Sequence, residues 1–159
     1  MRPSREPIAH DIATAHVLDV ARTRFDGPYH HHAALELTWI REGAGVRVID
    51  GQVMPFGDVV LVPPQVPHVW WSRGEGEVAS ACVLHLMVPL ALGALPELRG
   101  VSGWLEEGAR PALLAGALRA SVAAELQALS AVEGLERLGR ALSLLGRIAS
   151  SPDGVVRLA

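Results

Sequence analysis

Lysine and asparagine are absent from this chain of 159 residues, and all 14 of its basic side chains are arginine. That bias points to a GC-rich bacterial genome and says nothing about activity. Cysteine occurs once, as Cys82, so no disulfide can form within the chain. Its setting, Ala81-Cys82-Val83-Leu84, is apolar and predicts a buried, inert thiol. No apolar run approaches the roughly 18 residues that a membrane helix needs. Arg2 and Arg5 are not followed by an apolar stretch, so no secretory signal is read there. The expected location is the bacterial cytoplasm. Excess positive charge is missing too: a net charge of −3 argues against a dedicated nucleic-acid surface. There is no Ser-His-Asp order, no glycine-rich phosphate loop, no Cys-x-x-Cys pair and no helix-turn-helix pattern.

What the chain does have is 50% hydrophobic residues, enough for one domain with a sizeable core. Residues 1–14 carry Pro3 and Pro7 and read as a loosely held arm. Short strand-like runs follow at Ala15–Val20, Leu35–Arg41, Val46–Ile49, Gln52–Phe56, Val59–Val62, His68–Trp71 and Ala79–Val88. Glycine and proline punctuate them, and Asp50-Gly51 is a hairpin signal. Pro63-Pro64-Gln65-Val66-Pro67 cannot be a central strand, because proline gives no ladder donor. This pattern predicts an antiparallel sandwich or barrel over residues 15–94.

The character then changes. Leu95 to Arg110 reads as a short helix. Leu113 to Leu129 places Leu114, Leu118, Val122, Leu126 and Leu129 on one helical stripe. Leu135, Leu138, Leu142, Leu145 and Ala149 form a second stripe, and Ser151-Pro152-Asp153-Gly154 stops that helix. Residues 95–151 are therefore a helical unit, with 152–159 as a tail. Two helices cannot bury such stripes on each other alone. They must pack on the barrel or on a second chain.

The polar residues with chemical potential cluster at Tyr29-His30-His31-His32 and after. Residues two apart share a face of a strand. His30, His32, Glu36 and Thr38 therefore share parity, while His31, Leu35, Leu37 and Trp39 take the other face. A straight strand would put His32 and Glu36 about 13 Å apart, too far to share an ion, so Ala33-Ala34-Leu35 must kink or bulge. His68 is a possible further ligand. His85 either points into the same pocket or is a core histidine. By parity from His68, Trp70 faces inward and Trp71 outward. At least two of the four tryptophans are expected in the core. His10 and His16 lack companions and read as surface residues. Two or three imidazoles with a carboxylate suit zinc, iron, nickel or manganese. Three adjacent histidines can equally be plain solvated polar residues.

Two stretches resemble a known family. Gly27, His30-x-His32, Glu36 and Gly43 are similar to the first cupin motif. Gly57, Pro63 and His68 resemble the second, with Gln65 where glycine is usual and Ser72 where asparagine is common. More narrowly, Pro28 to His32, Leu35 to Ile40, Phe56 to Pro64, Val66 to Trp70 and the Leu-rich helix pair resemble the N-terminal domain of AraC-type transcription regulators. The resemblance implies a cupin (double-stranded β-helix) barrel followed by an α-helical hairpin. It implies a small-molecule effector in the barrel, near His30, His32, Glu36, His68, Trp70 and His85. It further implies a homodimer through the C-terminal helices, and DNA binding only through a separate domain beyond this chain. Carried over by position, His30, His32, Glu36 and His68 are the metal ligands, holding one divalent transition metal. No catalytic residue is expected. The second reading is a small metal-dependent cupin enzyme, such as a dioxygenase or isomerase.

Overall fold

The computed structural model describes residues 2–6, 14–74, 78–87, 95–106 and 109–158. Two sheets form a barrel. The first has five strands in the order β1 (Ser4–Arg5), β3 (His30–His31), β8 (His68–Ser72), β5 (Gly45–Ile49), β6 (Gln52–Pro55). The second has six in the order β11 (Val155–Arg157), β10 (Ala112–Leu114), β7 (Val59–Val62), β4 (Leu35–Glu42), β9 (Ala79–Leu86), β2 (Ala15–Arg22). A single helical turn, α1, spans Ser102–Leu105, and the two long helices are α2 (Gly116–Leu129) and α3 (Gly134–Ala149).

The helices pack together and lie on the outer face of the six-stranded sheet. That sheet is covered on both sides, by the helices outside and by the barrel interior within. Its central strands are accordingly apolar nearly throughout: all four residues of β7 are buried, as are seven of the eight in β9. The five-stranded sheet has water on its outer face, so β5 alternates buried with half-buried residues and β6 half-buried with exposed ones. Leu35, Leu37, Cys82 and Leu84 join Val122, Leu126, Leu144 and Ile148 in the larger core. Ile49, Val60, Val62 and Val66 make a smaller one between the sheets. Asp50 and Gly51 both take positive φ, 48° and 77°, which is the two-residue hairpin their sequence predicts.

Several sequence expectations change. Leu113 and Leu114 are not helical. They lie in β10, paired with Val59–Leu61 on one side and β11 on the other, so unpaired sheet edge wins over helix propensity. The helical segment and the tail thus each return one strand to the barrel sheet. Between Leu95 and Arg110 the described residues form a 3₁₀ turn, Pro96–Leu98, and α1 in place of one helix. The face of α3 against the core is Ala141, Leu144, Leu145 and Ile148; Leu138 and Leu142 are half-buried and Leu135 is 83% exposed. Ser4 and Arg5 of the N-terminal arm pair in parallel with His30 and His31. His16 is half-buried in β2. His10 and Val88 lie outside the described residues.

Candidate metal centre

The chain must leave one sheet and enter the other between His31 and Leu35. It does so through a bend at Ala33-Ala34, which separates β3 from β4. The bend removes the distance problem of a straight strand. His32 Nε2 comes to 3.0 Å from Glu36 Oε2. His85 Nε2 lies 2.9 Å from the same oxygen, because the β4–β9 register places Glu36 opposite His85. His68 Nε2 is 3.3 Å away, without hydrogen-bond geometry. The Thr38 hydroxyl donates to the other carboxylate oxygen, Oε1. His30 stands opposite His68 in the β3–β8 register, with ring centroids 4.5 Å apart.

Strand parity puts His30, His32 and Glu36 on one face and His31 on the other, as the structure has them. His30, His32, Glu36, His68 and His85 gather in one cluster, and His31 turns away to meet Gln65 Oε1 at 2.9 Å. Trp70 follows His68 inward, at a centroid distance of 5.1 Å. Trp71 donates its Nε1–H to the carbonyl of Gly27, at 3.1 Å. Trp104 is buried among the helices, with the Arg157 guanidinium 3.7 Å above its ring. Thr38, which accompanies Glu36 on the inner face, was legible by parity as a neighbour of the site but not as a partner of the carboxylate.

The tautomers are decided by the backbone. Nδ1 of His30 donates to the Pro28 carbonyl at 2.8 Å, Nδ1 of His32 to Ala34 at 3.1 Å, and Nδ1 of His68 to Val66 at 2.8 Å. A neutral imidazole has one N–H, so each Nε2 is then a lone pair. These Nε2 atoms nevertheless face carboxylate oxygens: Glu36 for His32 and His68, and Glu6 at 3.1 Å for His30. Lone pairs facing carboxylates are satisfied in two ways, by protons or by a cation. Three imidazolium ions so close together would repel. Burial, then the neighbouring His68, in fact holds the His30 pKa below its ordinary value of 6.5. For Glu36 burial pushes upward, but His68, His32 and His85 more than offset it and hold its carboxyl well below the usual range. The donor set fits a divalent ion. Two overlapping triads, His30-His32-His68 and His32-Glu36-His85, each bring their ligand atoms within 4.8 Å of one another. The backbone carbonyls orient the rings as outer-shell partners do in known sites.

A cavity of about 250 Å³ opens beside the cluster. Its wall includes Leu18, Val83, Ile40, Thr38, Trp70 and His85, with Glu6 and His30 also on it. The lining is mostly apolar with a few convergent polar groups, the usual make-up of a small-molecule site.

This geometry accompanies a family match: residues 17–85 fit the cupin domain model. The barrel is a cupin. Several solved structures align with the chain. A cupin 2 conserved barrel protein from Salinispora arenicola aligns with 21% identity over 55% of this chain and 74% of its own, at a TM-score of 0.41. ToxT from Vibrio cholerae aligns with 10% identity over 82% of this chain, at a TM-score of 0.51. A second ToxT structure, bound to an unsaturated fatty acid, aligns with 15% identity over 86% of this chain and 51% of its own, at 0.48. The chain thus spans about half the length of ToxT, 54% in the first case. No curated protein matches the sequence. The cupin's second motif explains one of its own departures. Gln65, where glycine is usual, has a φ of 64°, in the left-handed region that glycine favours. Its backbone N–H donates to His32 O at 2.7 Å and its side chain meets His31, which holds the unusual conformation. No helix among the described residues is long and apolar enough to cross a membrane.

Proposed function

We propose that this chain is the effector-sensing and dimerisation domain of an AraC-type transcription regulator. A small molecule, held with or through a divalent metal, occupies the cupin cavity. The observation that carries this reading is a shared wall. β4 and β9 turn Thr38, Glu36, Val83 and His85 toward the cavity, and Leu35, Leu37, Cys82 and Leu84 toward the helices. The Cys82 thiol donates to the Leu126 carbonyl of α2 at 3.3 Å. Arg41, at the end of β4, reaches both Asp19 of β2 and Gln127 of α2. An occupant that moves these strands moves the helix pair directly. Its effect is a population shift between arrangements of the helices.

The helical layer is what a minimal barrel enzyme does not need. The fold likeness to ToxT, an AraC-type regulator, covers a larger share of the chain than the barrel alone supplies. Leu135, Leu138 and Leu142 form a strip on α3 that the barrel leaves partly uncovered, and a second protomer is its fitting cover. DNA contact belongs to a further domain. The reading frame beyond Ala159 is expected to encode two helix-turn-helix units; a stop codon directly after it overturns the reading. In solution, a compound that enters the barrel is expected to slow amide exchange over residues 118–129. Barrel ligands that leave α2 exchange untouched count against sensing.

A second reading, a metal-dependent cupin enzyme, is favoured by the lone pairs of His30, His32 and His68 converging next to an open cavity. A bound metal would supply Lewis-acid or oxygen chemistry there. Both readings predict stoichiometric zinc, iron, nickel or manganese in purified protein. Turnover of a cavity ligand, with no response in α2, selects the enzyme.

A further inference from the structure

A second cleft, of about 580 Å³, lies outside the barrel. It is bounded by the β4–β5 turn, the β6–β7 turn and the N-terminal half of α2. Trp39 and Phe56 stand on its wall with Arg41, Arg73 and Arg119. Among the described residues, no carboxylate does. The protein as a whole carries net negative charge, so this gathering of guanidinium groups runs against the average.

The three arginines are not equally free. Arg41 is neutralised by a fork onto Asp19 and is fixed to Gln127. Arg119 has one ionic neighbour, Asp58 at 3.8 Å, and its side chain is 51% exposed. Asp58 itself is shared with the buried Arg47 at 3.1 Å, so its charge is already engaged. Arg73 is exposed, and no side-chain partner holds it among the described residues. Among the described residues nearby, Asp19 and Asp58 are engaged by Arg41 and Arg47, and Glu42 accepts from the Ser80 hydroxyl at 3.4 Å, so Arg73 and Arg119 face the cleft without a full counter-charge from any of them. Guanidinium groups bind oxyanions through paired N–H donors and stack on flat rings. Indole and phenyl faces accept a planar apolar body.

We propose that this cleft binds a small anion with a flat ring: a planar body against Trp39 and Phe56, and a carboxylate or phosphate on Arg73 and Arg119. The site is separate from the cupin cavity and does not depend on how that cavity is used. It joins the two barrel turns to α2, so its occupant ties the barrel rim to the helical layer.

The test is calorimetric titration of the full chain at low salt with benzoate, adenosine monophosphate and inorganic phosphate. Saturable binding of a ring-bearing anion is expected, at least about tenfold tighter than inorganic phosphate. Benzoate alone, adenosine monophosphate alone, or both support the proposal, and which one binds identifies the oxyanion. Arg73→Gln with Arg119→Gln is expected to weaken binding by at least about tenfold, since charge-assisted hydrogen bonds are lost. Both side chains are exposed, so the variant is expected to melt like the parent. Glu36→Gln, in the barrel, is expected to leave this binding unchanged. Three results overturn the proposal: no saturable binding, phosphate equal to the ring-bearing anions, or binding that survives the double variant.

Discussion

His32 belongs to both ligand triads and is the side chain on which the centre turns. His32→Ala is expected to abolish stoichiometric metal, whereas His31→Ala retains it; elemental analysis of the two purified variants checks this. That contrast was legible from strand parity alone. His85 was not placed, because its position depends on the pairing of Glu36 with a residue 49 positions away. Local pattern carries no information about such a register. Cys82 shows the reverse case, where the local apolar run was enough. Burial first, then the charge of Asp19, pushes its thiol up to about 11. The folded protein therefore keeps a proton that the unfolded chain loses above about pH 8.5. Stability accordingly falls as pH rises from there toward 11. Iodoacetamide at pH 8.5 is expected to label the native protein far more slowly than the urea-unfolded chain, by mass spectrometry.

At the scale of elements, β4 is the wall between the cavity and the helical layer. Its even positions meet the cavity and its odd positions meet the helices. Leu126 of α2 is fully buried over this sheet. Leu126→Ala is expected to cost about 2–5 kcal/mol, as for other buried leucines, and to leave metal content intact. Urea unfolding alongside elemental analysis separates the two effects. Strands β2 and β4 to β9 and the existence of both helices were readable from period and punctuation, whereas β1, β3, β10 and β11 were not. The face of α3 was readable only in part: Leu145 is buried and Leu138, Leu142 and Ala149 pack against the core, but Leu135 is exposed and the centre of the buried face is shifted to Ala141, Leu144 and Ile148. Leucine flanks the helix on more than one arc, so the spacing of Leu135, Leu138, Leu142 and Leu145 fits one stripe while Ala141, Leu144 and Ile148 fit another. Which arc is core depends on where the sheet lies. β10 failed for a related reason: Ala-Leu-Leu suits a helix until the free edge of β7 is present to pair with it. Leu135→Glu is expected to leave monomer stability unchanged and to shift a dimer to monomer in analytical ultracentrifugation.

For the molecule as a whole, the metal-free protein is expected to weaken in mild acid. His30 is held below its ordinary value of 6.5, so just under that pH the folded form binds fewer protons than the unfolded chain. Stability then falls as pH drops. Glu36 acts in the same direction lower down: its contribution is present above its ordinary value of 4.5 and is lost as pH falls through its depressed folded value. Thermal melts of chelator-treated protein between pH 7.5 and 4 check the slope. Restoring a metal at about 100 times its dissociation constant is expected to return about 2.7 kcal/mol, visible as a higher Tm at neutral pH.

Trp70 gives this barrel an optical consequence. Its indole is on the cavity wall and 5.1 Å from His68, whereas Trp104 is buried in the helical layer and Trp39 lies on the outer side of β4. A paramagnetic ion such as nickel or manganese entering the histidine cluster sits beside the Trp70 indole, whereas Trp71 turns its Nε1–H to the Gly27 carbonyl. Emission should therefore drop by a fraction of the total and then plateau. The protein arrives with a built-in fluorophore for its own loading, and a Trp70→Phe variant supplies the blank.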